Sequence, residues 1–191
     1  YTAIAKILQG YTYQLLTDNF NDIPFSESLK GESYGITSPK FDRQEDVYNG
    51  IINLVKEGRD LITFQGAHPG SDDIIYNGNM AMWARFANTL LLRIYLRLAY
   101  RNPGLAQAGI AALQTDGNGF MTSTSETAQI IYTSSPGNTN PLYSEMANLN
   151  FTQNLIGSAT SIDSMDARLD PRIEIFYVLL GSGLEQGYYS I

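Results

Sequence analysis

One histidine, no cysteine and nineteen carboxylates bound the chemistry open to this chain of 191 residues. His68 sits in Gly66-Ala67-His68-Pro69-Gly70 with no nucleophile motif beside it, so it reads as a surface-loop histidine and not as the base of a Ser-His-Asp or Cys-His site. Zinc sites need several His or Cys ligands, which this composition does not supply. Asp72-Asp73 and the acidic residues from Asp163 to Asp170 offer oxygen ligands for calcium, but neither run has EF-hand spacing, and both read as solvated loop carboxylates. Gly117-Asn118-Gly119 lacks the strand–helix setting and the lysine of a phosphate loop. Paired carboxylates for glycoside hydrolysis converge only in a fold, and nineteen acidic residues guarantee chance pairs. The sequence therefore assigns no catalytic residue, no metal ligand and no cofactor.

What remains is ring chemistry. Aromatic residues make up 12% of the chain and thirteen of them are tyrosines. A tyrosine joins an apolar ring to a polar tip, which suits both half-buried helix packing and stacking on a sugar face. Helix packing accounts for most of them. Tyr34, Tyr76, Tyr188 and Tyr189 lie in loops or near the terminus, outside any helical stripe, and are the candidate ligand-binding residues. A net charge of −7 and a pI near 4.6 argue against nucleic acid, because no basic stripe is available to neutralise phosphates.

Those residues need elements to hold them. An apolar share of 43% is ordinary for a globular chain, and 191 residues suit one domain with its own core. No apolar run reaches the length of a transmembrane helix. Ile4, Leu8, Tyr11 and Leu15 recur at helical spacing, so residues 1–18 are predicted helical, with these four as the buried stripe. Asp22-Ile23-Pro24 ends that helix, since the residue before a proline leaves the helical region. Phe25 is expected to plug the helix pair. After a long loop, Asp42 followed by Glu45 resembles a capping box, and Val47, Ile51, Leu54, Val55 and Gly58 carry a second helix over 43–62.

A Gly78-Asn79 turn then opens a helix over 80–101, where Trp83, Ala84, Ala87, Leu90, Leu91, Ile94 and Leu98 form one apolar face. Its other side mixes Phe86, Leu92 and Leu96 with Arg85, Arg93 and Arg97. A helix so widely apolar packs on more than one side, its arginine heads reaching water or carboxylates. Asn102-Pro103 starts a short helix over 104–113. From Asp116 onward Gly, Ser, Thr and Asn are dense. Gln129 to Tyr132 and residues 172–180 read as short strands, and Ser161 to Arg168 as a short helix. Asp170-Pro171-Arg172 reads as a fold-defining corner in which Asp170 bonds an amide or Arg172. The fold class is mainly α, with tetratricopeptide-like helix pairs. Residues 1–114 form the helical scaffold, and 115–191 a loop-rich part of the same domain.

Four stretches in register also resemble one family. They are Tyr76-x-Gly78-Asn79 with Trp83 and Phe86-Ala87-Asn88-x-Leu90-x-Leu92-Arg93; Asn21-Asp22-Ile23-Pro24-Phe25-Ser26-Glu27; Pro39-x-Phe41-Asp42-x-Gln44-Glu45-x-Val47-Tyr48; and Asp170-Pro171-Arg172. Together they are similar to the SusD/RagB family of outer-membrane nutrient-binding lipoproteins from Bacteroidetes. The resemblance spans nearly the whole chain and implies the same helical scaffold. It also implies non-catalytic binding of oligosaccharide or another nutrient at the cell surface, and delivery to a TonB-dependent, SusC-like transporter.

Tyr1-Thr2-Ala3-Ile4 is already in helical pattern, and the chain reads as an internal stretch of a longer protein. Under the resemblance, the signal peptide and the lipidated cysteine of the membrane anchor would precede it. The competing reading is a tetratricopeptide-type scaffold that binds protein and has no affinity for glycans. The sequence does not name the ligand.

Overall fold

The computed structural model describes residues 1–62, 67–133, 135, 137–148 and 157–177. Two compact units emerge, Tyr1–Ile130 and Ile131–Ile191. The first contains α1 (Thr2–Phe20), the one-turn α2 (Gly31–Tyr34), α3 (Gln44–Asp60), α4 (Met80–Leu98), α5 (Pro103–Thr115) and a 3₁₀ turn at Thr124–Glu126. The second contains α6 (Pro141–Asn148), α7 (Ala159–Asp166) and the short α8 (Ile173–Phe176). The mainly helical fold class holds.

α1 and α3 form an antiparallel pair. Gly58 packs against Ala3 at one end, Gly10 against Val55 in the middle, and the Gln44 side-chain amide donates to the Thr17 carbonyl (2.7 Å) at the other. A Cβ on Gly10 would lie 2.4 Å from a Val55 methyl carbon, and one on Gly58 would lie 2.9 Å from the Ala3 carbonyl oxygen. The helices approach closely because these two positions have no side chain. This close seam corrects one sequence reading. The buried residues of α1 are Ala3, Ile7, Gly10, Tyr13, Gln14 and Thr17, while Ile4, Leu8, Tyr11 and Leu15 line its half-buried flanks. Small and hydrogen-bonded residues hold the seam together with the fully buried Ile7, and the other aliphatic residues fill beside it.

α4 and α5 form the second antiparallel pair, with the Tyr95 ring lying directly over Gly109. α4 is buried along Trp83, Ala84, Ala87, Leu90, Leu91 and Ile94 as expected, and also along Asn88 and Tyr95. It touches α1, α3 and α5, as its wide apolar surface requires. Two of its arginines reach carboxylates on other elements, Arg85 on Glu126 and Arg97 on Asp18. Asn79 and Asn102 cap α4 and α5 through their side-chain oxygens, accepting from the amides of Met82 and Leu105.

The start of α3 departs from the capping box expected of Asp42 and Glu45. Arg43 is its N-cap residue, without a side-chain cap bond. Asp42 is turned instead toward the preceding loop, where it accepts from the amides of Phe25 (3.1 Å) and Ser26 (2.6 Å) and from the Ser26 hydroxyl (2.8 Å). These bonds, with a backbone bridge between Ile23 and Asp42, close the loop on itself. Phe25 does plug the pair: its ring occupies the space over Gly50 and meets Tyr13 edge-on at 4.8 Å.

In the second unit, Asp170 accepts from both the Arg172 amide (3.0 Å) and its guanidinium (2.5 Å), the corner read from sequence. The two expected strands are not formed where they are described. Residues 127–133 take neither helix nor strand, and Ile173–Phe176 is a helical turn; 178–180 lie outside the described residues. β-propensity needs a partner strand to become a strand. Pro141–Asn148, where the sequence carries few signals, is helical.

Candidate functional site

Two antiparallel pairs bring four helix ends together. The end of α1 lies beside the start of α3, and the end of α4 beside the start of α5. The Arg97–Asp18 ion pair (2.9 Å) ties the first pair to the second at this end. Between them opens a cleft of about 640 Å³, with Asn21 and Asp22 on one wall, the first turns of α3 on a second, and Arg97, Leu98, Arg101 and Leu105 opposite.

Tyr48, which lines the cleft, is held by a polar cluster at its hydroxyl. The Tyr48 hydroxyl donates to Asp18 (2.5 Å), as does the side-chain amide of the fully buried Gln14. Burial pushes the Tyr48 phenol well above its ordinary value, and the Asp18 carboxylate adds to the shift, so Tyr48 stays a protonated donor. Asp22 accepts from the Gln44 amide (2.9 Å) and so satisfies the N-terminus of α3. Around this cluster stand side chains with unfilled hydrogen-bonding capacity. Arg43, Arg101 and Glu45 have no ion-pair partner among the described residues, and Asn49 makes no side-chain hydrogen bond among them. The arrangement offers donors and acceptors to a polar ligand.

A second polar region lies along α4. Asp73 accepts from the Trp83 indole (2.7 Å) and from the amides of Gly78 (3.0 Å), Ile75 (3.1 Å) and Tyr76 (3.2 Å). Burial alone would raise its carboxyl; the indole and the three amides outweigh that and hold it below the usual carboxylate range. This corrects the reading of Asp73 as a solvated carboxylate, although Asp72 beside it is exposed. Gly78 has φ +77° and a Cβ there would lie 1.9 Å from the Pro69 carbonyl oxygen, so the turn before α4 is built for glycine.

Further along, Arg59 donates to Asp116 (2.7 Å) and to the fully buried Asn88 (3.0 Å), which itself donates to Asp116 (2.9 Å). Glu126 accepts from the Thr122 amide (2.6 Å) and the Ser123 amide (3.3 Å) and pairs with Arg85. The Thr122 amide leads in holding its carboxyl low against burial. These contacts strap residues 116–126 across α4.

The four candidate tyrosines fall in different places. Tyr34 ends α2 and is 74% exposed, with the Lys30 ammonium 5.8 Å from its ring centre. Tyr76 is half-buried: its ring meets Trp83 edge-on at 5.2 Å and its hydroxyl donates to the Glu126 carbonyl (2.8 Å). Burial, with the Glu126 and Asp73 charges, pushes that phenol up to about 12. Tyr188 and Tyr189 lie outside the described residues. Tyr34 and Tyr76 are not brought together.

Trp83 is 1% exposed and belongs to the core, as expected. His68 is exposed, with Nδ1 2.9 Å from the adjoining Pro69 carbonyl. Among the described residues no three histidines or carboxylates converge as metal ligands. Sequence reasoning passed over the cleft residues Arg43, Asn49 and Arg101; Arg43 and Arg101 lie at predicted helix ends, and Asn49 carries no such signal.

Comparison with known proteins gives these features a context. A search of curated proteins finds no match. Among solved structures, a SusD homologue from Bacteroides fragilis is 30% identical, with 92% of this chain and 37% of that one aligned at a TM-score of 0.71. A SusD homologue from Bacteroides uniformis is 26% identical, with 89% and 35% covered and a TM-score of 0.73. A chitin-binding SusD homologue from Flavobacterium johnsoniae is 26% identical, with 90% and 36% covered and a TM-score of 0.71. The chain thus spans little more than a third of the length of these structures. The model of the SusD-like family described as starch-binding associating with outer membrane matches residues 1–190, and the chain belongs to that family.

Proposed function

We propose that the protein binds an oligosaccharide or another nutrient at the cell surface, without turning it over, and delivers it to a TonB-dependent, SusC-like outer-membrane transporter. The observation that carries this reading is the family match over residues 1–190. The chitin-binding relative from Flavobacterium johnsoniae supports a carbohydrate as the cargo.

The electrostatics agree with binding. The carboxylates that the fold brings inward are engaged as acceptors, Asp18 with Tyr48 and Arg97, Asp73 with Trp83, Asp116 with Arg59 and Asn88, and Glu126 with Arg85. Asp73 and Glu126 are held below the ordinary range, whereas a general acid at neutral pH needs its carboxyl raised. No helix among the described residues is long and apolar enough to cross a membrane; in the family reading, surface attachment rests on a lipid anchor.

In this reading Tyr34 is a stacking surface, because its ring is free on its outer face, and Tyr188 and Tyr189 are further candidates. Tyr76 contributes through the rigidity of the turn before α4. The two antiparallel helix pairs favour one competing reading, a scaffold that binds protein alone. Isothermal titration calorimetry of the complete protein against neutral oligosaccharides, with chromatography of the recovered sugars, separates the three cases. Saturable heat with unchanged sugars is expected. Products that vanish when one carboxylate is replaced would overturn capture in favour of catalysis, and absence of any glycan binding would favour the protein scaffold.

A further inference from the structure

We propose that the cleft between the four helix ends is itself a saccharide site and that it takes an uncharged oligosaccharide, an inference that rests on the capture reading above. Its volume, about 640 Å³, is that of a small-ligand site, for which about 300–1,000 Å³ is usual. Its charges are balanced. Of the lining charges, Arg97 is paired with Asp18, which lies outside the lining, and Arg43 and Arg101 are matched in number by Asp22 and Glu45, in a chain of net −7. Neither an anionic nor a cationic sugar meets an excess of opposite formal charge among these groups.

Vicinal sugar hydroxyls need donors and acceptors side by side, because each hydroxyl both gives and takes a hydrogen bond. The guanidiniums of Arg43 and Arg101, without ion-pair partners among the described residues, the Asn49 amide and the Glu45 carboxylate provide that mixture. Leu98 and Leu105 add an apolar surface for the C–H faces of a ring. Asp22 accepts from the first amide of α3 and Asn102 caps α5 at the Leu105 amide, and the lining side chains supply further donors and acceptors. Tyr48 and Arg97 are held in place, because both bond to Asp18. Side chains held in place lower the ordering cost of binding.

The test is calorimetry on the complete protein with three probes, chitohexaose, maltohexaose and an oligogalacturonate, repeated with Arg101→Ala and Asn49→Ala. Both residues are exposed, so melting temperatures should stay close to the parent's. The expected result is binding of a neutral hexasaccharide that weakens about tenfold or more in each variant, since a hydrogen bond to the ligand is lost. Affinity should change by less than about twofold between low and high salt, because no net charge is screened. Parent-like affinity in both variants would reject the cleft and leave capture standing. A preference for the oligogalacturonate that fades with salt would overturn the uncharged-ligand inference. A parent that binds none of the probes overturns the capture reading for these glycans, and the cleft with it.

Discussion

The seam between α1 and α3 and the flank of α4 solve the same packing problem in opposite ways. At the seam, glycines at 10 and 58 let two backbones approach and Val47, Ile51 and Val55 fill the space without solvent access. Along α4, a loop and a strap are held by hydrogen-bonded carboxylates: Asp73 under Trp83, Asp116 under Arg59 and Asn88, and Glu126 under Arg85. Apolar contact is non-directional and largely indifferent to pH. Buried charge is costly when broken and fixes one geometry for segments that have little apolar surface of their own. The first strategy joins long helices; the second positions loops.

Trp83 takes part in both, since it fills the core and donates to Asp73. Trp83→Ala should destabilise by about 3–5 kcal/mol in chemical denaturation, the largest effect expected of one substitution here. Asp116→Ala leaves Asn88 and the Arg59 guanidinium without their shared acceptor, and should cost about 2–3 kcal/mol. Gly10→Ala tests the seam, because the new methyl must displace Val55. A loss of about 1–2 kcal/mol is expected, and no loss would show the helices free to separate.

Acid separates the two strategies directly. Asp73 and Glu126 have depressed carboxyls in the folded state, so their stabilisation is complete above the ordinary carboxylate range, near about pH 4, and is lost as pH falls through the folded values. The parent's melting temperature should therefore drop below about pH 4, and Asp73→Asn should flatten that fall. Gly10→Ala should run parallel to the parent at every pH; a flattened profile there would break the contrast. The smallest stability effect is expected of Tyr34→Ala, within about 0.5 kcal/mol. Weaker glycan binding with an unchanged melt would assign Tyr34 to the ligand, and unchanged affinity would reject it.

Much of the scaffold was legible beforehand because local rules coincide there. Apolar spacing, Asn79 and Asn102 as caps, and Pro103 at a helix start all point to the helices that form. Phe25 and Asp170-Pro171-Arg172 were legible for the same reason, since each is settled by residues close in the chain or by a ring that must be buried. Asp42 and the α1 stripe were misjudged where a partner distant in sequence competes with a local signal, and Asp73 where a tight loop folds its own amides and the Trp83 indole back onto the carboxylate. Asp42 looks like a helix cap until the loop at Phe25 and Ser26 claims it, and Gln14 and Thr17 look like a polar face until α3 arrives. The β-prone residues at 129–132 and 173–176 carry propensity without a paired strand among the described residues, and propensity alone does not make a strand.

By itself the sequence determined that this chain is a stack of helices, that it lacks the residues of a zinc or thiol site, and, through four motifs in order, which family it resembles. Those are properties of residue types and short spacings. Only the tertiary structure decided that Arg43, Asn49 and Arg101 share a cleft and that Asp73, Asp116 and Glu126 are internal struts. It likewise separated an exposed Tyr34 from a committed Tyr76. Those groups are brought together by the antiparallel return of each helix pair, and the sequence spacing between them carries no trace of where that return will place a side chain.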